Sequence, residues 1–433
     1  MARHPSSTCF LLPLLCWLLL AVGSPRARAQ NLSALAAAPD WHALDAYQET
    51  ITREEFAALL TTLYAPRGGW EPWLRLDEDK LVLRKSNVPL DDLYTLRFAP
   101  AAAHRRPLPP EYWRARAALA PPAAPPDQPL AGLRVALDPG HLGGRWARLE
   151  ERWFQIGDAS PVMEGEMTLR VARRLAERLR TLGAARVDLL RGGDEPATAL
   201  RPDSPALLKA ARRQLAEGGV VQPRETFDGP ADPQRQLAVP WTAGNLFTRA
   251  DIRSRGDLVN GTLRPDLVVC LHFNAEAWGD PAAPALVERN HLHLLVNGCY
   301  GPEEIAREDV RFEMLRKLLD RSGAEEIAAA DHVAAALAAA TGLPPYEYTG
   351  PNARRVGGGR YVWARNLLAN RLYACPTVYA EPYVMNSPEV FARVQAGDYE
   401  GLRDFGGVAR PSIFREYADA VAAGLAAYYG ARP

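Results

Sequence analysis

Three short apolar runs in the later two-thirds of the chain end abruptly on polar residues. LRVALDPGH (133–141) stops at Asp-Pro-Gly and His141, LVVCLHFNA (267–275) runs into His272, and PTVYAEPYVMN (376–386) runs into Glu381. Unbroken apolar runs of this length, bounded by turn signals, predict buried strands. Between them the period changes to that of a helix. Residues 165–182 put Ala172, Leu175, Ala176, Leu179 and Leu182 on one face, with Gly183 as the stop. RVDLL (186–190) and HLHLLV (291–296) predict further strands, 324–342 an Ala-rich helix closed by Gly342, and 415–429 a last helix. This alternation predicts an α/β domain over 131–433, with a mixed, mostly parallel sheet flanked by helices. Two stretches interrupt it and read as insertions, about 192–245 and the Gly-rich segment near 354–361.

Upstream the pattern differs. Residues 30–105 predict a small N-terminal α+β module. Thr52 followed by Glu55 signals a helix start, and WLRLDEDKLVLRKS (73–86) alternates on both sides of Asp-Glu-Asp-Lys as a hairpin does. Proline concentrates in 106–130, a linker interrupted by a short helix around 112–119. Residues 1–29 read as a secretory signal: Arg3 and His4, the apolar CFLLPLLCWLLLAV (9–22), then Ala27-Arg28-Ala29 as the cleavage site. That implies export, to the periplasm or the medium, and no stable membrane insertion once the signal is removed.

Composition narrows the partners. Lys+Arg and Asp+Glu are 51 each, so net charge makes no case for nucleic acid or an anionic membrane surface. Beyond the signal the chain keeps Cys270, Cys299 and Cys375. An odd number is no disulfide framework; one pair can oxidise in an export compartment, and which pair stays open.

The strand ends carry the chemistry. A hydrolytic zinc site needs three protein ligands and an open position for water, with a nearby carboxylate to move the proton. His141 and His272 end two different strands. Glu164 stands at the head of the 165–182 helix, where free amides and the positive helix end keep a carboxylate ionised; Glu166 competes for that position. Glu381 ends a third strand and is free to be the base. His291 and His293 lie two apart and face the same side of their strand; both are expected to be structural. Arg355 and Arg360 flank a glycine run that matches no phosphate loop and is expected to be a rim loop.

In order along the chain these features resemble the catalytic domain of the zinc-dependent N-acetylmuramoyl-L-alanine amidases of bacterial cell walls. The resembling parts are Asp138-Pro139-Gly140-His141, Glu164 ahead of Leu169, His272-Phe273-Asn274-Ala275, and Glu381 with Asn386. Arg255 and Asn260 also fall at matching places in the helix that leads to His272. The resemblance runs from about 133 to 429 and is poor in both insertions. It implies zinc on His141, Glu164 and His272, Glu381 as general base and acid, and cleavage of the amide between N-acetylmuramic acid and L-alanine of the stem peptide. The substrate is then peptidoglycan or a muropeptide. An unidentified protein activator is a candidate further partner; the alternatives to this function are a metallohydrolase acting on another peptide amide or a free muropeptide, and a catalytically silent wall-binding protein. The chain departs from the family pattern at Leu142, in the Arg- and Trp-rich 142–163, at Gly165 where the family has Lys, and at Pro382-Tyr383.

Overall fold

The computed structural model describes residues 31–87, 91–119, 125, 127–280 and 283–430. The expected secretion signal at 1–29 lies outside them. Among the described residues no helix is long and apolar enough to cross a membrane.

The N-terminal module joins helix α1 (Arg53–Leu59) to an antiparallel sheet of β1 (Leu74–Leu76), β2 (Lys80–Arg84) and β3 (Leu93–Arg97). Thr52 and Glu55 form a reciprocal capping box at the start of α1, which satisfies two otherwise unpaired amides. The module is packed onto the rest of the chain: the Tyr64 hydroxyl donates to the Lys317 carbonyl at 2.7 Å, and Cys299 N to the Leu63 carbonyl at 2.8 Å. A single turn of helix, α2 (Arg116–Leu119), falls in the expected linker.

From β4 (Arg134–Pro139) the chain runs through the short pair β5 (Trp153–Phe154) and β6 (Val162–Met163), then α3 (Glu164–Thr181), β7 (Arg186–Leu189), α4 (Pro205–Glu217), α5 (Val239–Asp257), β8 (Leu267–Leu271) and β9 (Leu292–Val296). It continues through α6 (Pro302–Ile305), α7 (Glu308–Asp320), α8 (Ser322–Thr341), β10 (Arg354–Arg355), β11 (Val362–Ala364), α9 (Leu368–Leu372), β12 (Thr377–Pro382), α10 (Pro388–Gln395), β13 (Arg403–Phe405), β14 (Val408–Arg410) and α11 (Ile413–Gly430). Seven strands form one sheet in the order β10-β11-β9-β12-β8-β4-β7. It is mixed and mostly parallel: β9 runs antiparallel to β12, and β10 to β11, while the other neighbours are parallel.

Alternation along the central strands feeds two cores. Val135, Leu137, Val269, Leu271, Val378 and Ala380 pack with α3, α8 and α11. Ala136, Val268, Cys270 and Tyr379 pack with Val259 and Tyr373 on the other face. Strands buried on both faces read as continuous apolar runs, which is why all three stand out in the sequence. Cys270, Cys299 and Cys375 are free and buried.

Two expectations are corrected. Glu164 does not precede its helix but is its first residue, with Met163 at the N-cap and no side-chain cap. The Gly-rich stretch is not only a loop: Arg354 and Arg355 pair with Ala364 and Trp363 at the sheet edge, and Gly358 N donates to Asp331 on α8 at 2.9 Å.

Asp266, just before β8, is fully buried and ties the linker to the sheet. Its carboxylate accepts from the backbone N–H, Nε and Nη2 of both Arg114 and Arg134, at 2.7–3.2 Å. Burial alone would raise its pKa, but the two arginines hold it below the ordinary value. The pair therefore stabilises the fold above the unfolded pKa of about 3.9 and stops doing so as pH falls through the lowered folded value. Asp266→Ala should cost about 3 kcal/mol in urea unfolding at neutral pH, because two guanidinium groups lose their carboxylate. The gap from wild type should narrow below about pH 4. Equal stability at neutral pH would remove Asp266 from this role.

Candidate metal centre

The three apolar runs become neighbours in the sheet, β12-β8-β4, so their carboxyl ends open on one edge. That edge is where open α/β sheets hold their sites. His141 follows β4 by two residues and takes a left-handed backbone, φ +56°. Such a conformation is uncommon for a residue with a Cβ; here it turns the chain sharply at the head of the strand. His272 follows β8 directly, its amide donating to the Ala380 carbonyl of β12 at 3.0 Å.

Glu164 lies between the two rings. Its Oε2 is 3.6 Å from His141 Nε2, and its Oε1 is 3.2 Å from His272 Nδ1. The imidazole centroids are 5.1 Å apart and nearly perpendicular. One donor atom from each of His141, Glu164 and His272 falls within 4.8 Å of the other two. Glu166 stays outside this group, partly exposed, 3.9 Å from Arg170. Two imidazole nitrogens and one carboxylate oxygen are the donor set of hydrolytic zinc sites. The residues present therefore fit that ion.

The surroundings fix these side chains. His141 Nδ1 lies 3.2 Å from Glu150 Oε2, and Leu142 N donates to the same oxygen at 2.7 Å. With Nδ1–H on a carboxylate, Nε2 is left as the donor nitrogen. His272 stacks on Tyr379 at 5.1 Å. Phe273 N donates to Glu164 Oε1 at 3.1 Å. Arg152 Nε sits 3.2 Å from Glu164 Oε2 and 3.3 Å from His141 Nε2. Burial works to raise the Glu164 carboxyl, but His141, His272 and Arg152 outweigh it and hold the group below its ordinary value.

Two glycines are demanded by close approach. A Cβ on Gly140 would lie 2.2 Å from His272 Cε1, and one on Gly165 would lie 2.2 Å from the Leu142 carbonyl carbon. At Gly165 the 142–143 backbone occupies the space that any side chain would need. Gly140→Ala should leave the fold intact and displace the His272 ring. Zinc retention on a desalting column should then drop sharply while far-UV circular dichroism stays unchanged; full retention would show that the ring has room to spare.

Glu381 stands on β12 directly opposite His293 on β9. Its Oε2 is 3.0 Å from His293 Nε2. Burial opposes the charge, yet His293, His272 and Arg365 hold the carboxyl down to about 2. His293 was expected to be structural, with nothing in the sequence to place it at the site; the register brings it to Glu381. His291, two residues along, meets Glu276 at 3.3 Å instead. Arg255 forms a buried ion pair with Asp138 beneath the turn. Asn260 accepts from Tyr112 and Ala374 N, and Asn386 exchanges hydrogen bonds with the Glu276 backbone.

Glu150, Arg152 and Arg191 escaped the sequence reading. The first two lie in 142–163, which has no regular period; an excess of Arg and Trp was the one signal. Arg191 is buried at the end of the β7 segment and donates to the carbonyls of Pro139, Gly140 and Gly165. Burial pushes it down to about 10. The 192–245 stretch buttresses the same loop: Trp241 Nε1 and Arg235 both reach Glu151 Oε1, at 3.0 and 3.3 Å. Beside the centre lies a cavity of about 570 Å³ lined by Arg148, Arg152, Trp153, Arg235, Ala275 and Trp278 among others. The Arg148 guanidinium lies 3.4 Å from the centre of the Trp153 ring.

No family model matches this chain, and no curated protein does. Among solved structures it is similar to the N-acetylmuramyl-L-alanine amidase Ami1 of Mycobacterium smegmatis, at 19% identity over 70% of this chain and 99% of that one, TM-score 0.36. It is similar to the CwlD amidase of Clostridioides difficile, solved in complex with the GerS lipoprotein, at 10% identity over 68% and 98%, TM-score 0.37. A third likeness is to the N-acetylmuramoyl-L-alanine amidase AmiC2 of Nostoc punctiforme, at 14% identity over 68% and 96%, TM-score 0.34. Likenesses at this level carry no functional argument; the donor set and its surroundings do.

Proposed function

We propose that this chain is an exported, zinc-dependent N-acetylmuramoyl-L-alanine amidase, with an accessory module at 30–105, a linker at 106–130 and the catalytic domain at 131–433. One observation carries the reading: two imidazoles and a buried carboxylate from three distant segments converge within 4.8 Å, next to a second carboxylate on the neighbouring strand. A pure binding surface has no need of such a set. The ordered motifs that resemble the wall amidases name the substrate class.

In this reading His141, Glu164 and His272 hold zinc. The ion supplies Lewis acidity, polarising the lactyl carbonyl and lowering the pKa of water to about 7. Glu381, ionised throughout the working range, takes the proton as the water oxygen bonds to the carbonyl carbon. It returns that proton to the alanine nitrogen as the carbon–nitrogen bond breaks. Glu150 orients His141. The cavity at Trp153 and Trp278 receives the substrate on one side of the scissile amide.

The test is mass analysis of sacculi digested with the mature protein, alongside its zinc content. Intact stem peptides with a free L-alanine amine, together with glycan bearing free lactyl carboxylates, are expected. Cuts confined to the peptide would replace this reading with another amide hydrolase. Retention on the wall without zinc or cleavage would replace it with a silent binder.

A further inference from the structure

His293 lies outside the donor set, yet it touches the carboxylate beside it. In an antiparallel pair, directly opposed residues share a face of the sheet, so the β9–β12 register brings His293 and Glu381 side by side. Their side chains are 2% and 18% exposed and meet at 3.0 Å between Nε2 and Oε2. The other ring nitrogen faces the Asn274 side-chain amide at 3.4 Å. That amide also donates to the Glu381 carbonyl at 2.7 Å, which settles which end of Asn274 meets the ring. With an N–H facing Nδ1, that nitrogen is an acceptor and the ring proton belongs on Nε2, aimed at Glu381. The Tyr348 hydroxyl lies 3.0 Å from the same Nε2, and Tyr346 packs on the ring at 5.1 Å. Burying an imidazole costs desolvation that an apolar side chain would avoid; the strand's other buried side chains near it are Leu292, Leu294 and Leu295. The polar ring is repaid by its partners.

Resting on the amidase reading, we propose that His293 is the positioning residue of Glu381: its Nε2–H holds Oε2 in place, leaving Oε1 to carry the proton from water to the departing amine. His293 keeps its own proton throughout. A donor to the ionised carboxylate favours that form, so protonated Glu381 gives its proton up readily, a step that matters most when the leaving nitrogen is a poor leaving group.

The test compares His293→Leu and His293→Gln in zinc-loaded protein whose wild type has first been shown to release stem peptides. His293→Leu should lower kcat on the amide roughly 10–100-fold, the usual scale for removing an orienting partner, with KM and zinc content unchanged. His293→Gln, whose amide N–H reaches the same oxygen, should recover most of that loss. On an aryl ester of the same acyl group, whose leaving oxygen needs no proton, the loss in His293→Leu should be smaller than on the amide, because only the removal of the proton from water then depends on Glu381. Equal losses for Leu and Gln on both substrates would reduce His293 to packing, and undiminished turnover in His293→Leu would dismiss it altogether. Should His293→Leu fail to fold, or wild type release no peptide, histidine-labelled nuclear magnetic resonance decides independently. A ring protonated on Nε2, with a proton signal that moves on Glu381→Gln, supports the pairing; Nδ1 protonation, or no response, overturns it even if the amidase reading survives.

Discussion

Glu381→Gln is expected to retain zinc and lose roughly three orders of magnitude in turnover, within the range that general acid–base catalysis supplies. The substitution is nearly isosteric. A Gln oxygen still accepts from His293, so the β9–β12 contact persists, while the group can no longer take a proton from water. Glu381 contributes no atom to the His141–Glu164–His272 cluster, so metal content should not change. Two assays decide: zinc per chain by mass spectrometry, and stem-peptide release at saturating substrate. If the variant turns over like wild type, some other group moves the proton; if it loses zinc, Glu381 is a ligand and the division of roles is wrong.

The parts of this site visible in the sequence were those that strand burial makes conspicuous. β4, β8 and β12 are apolar on both faces, so the residues that end them stand out against the run. Glu164 was visible through the amphipathic helix behind it, although its place as the first helical residue was not, since no side-chain caps that helix. What stayed hidden depends on pairing rather than pattern. That β9 lies antiparallel to β12, with His293 opposite Glu381, is a matter of register between strands about 90 residues apart in sequence. Glu150 and Arg152 sit in an irregular loop whose course is set by contacts with the 192–245 stretch through Trp241 and Arg235. No period announces such contacts. β3 was missed because the exposed Leu93 blurs its alternation, and β10 and β11 because two exposed and three buried residues are too few to show a period.

Glu164→Gln is expected to abolish both metal binding and activity. The carboxylate is the one anion among the three donors, and in the folded protein its oxygens also receive Arg152 and Phe273 N. A neutral amide brings a weaker donor oxygen and leaves the Arg152 charge unopposed beside a cation. Zinc affinity should fall by more than the 10–100-fold typical of losing an outer partner. The measurement need not involve turnover. A ligand that binds the native state alone raises the melting temperature with its concentration, so zinc should stabilise wild type and leave Glu164→Gln unchanged. Glu166→Gln is the matched control, since that carboxylate lies outside the cluster and should keep the zinc-dependent rise. A Glu164→Gln protein that still gains stability from zinc, or a Glu166→Gln protein that does not, would mean that the ion is held by another set of donors. The roles drawn for Glu381 and His293 would then have to be rebuilt around that centre.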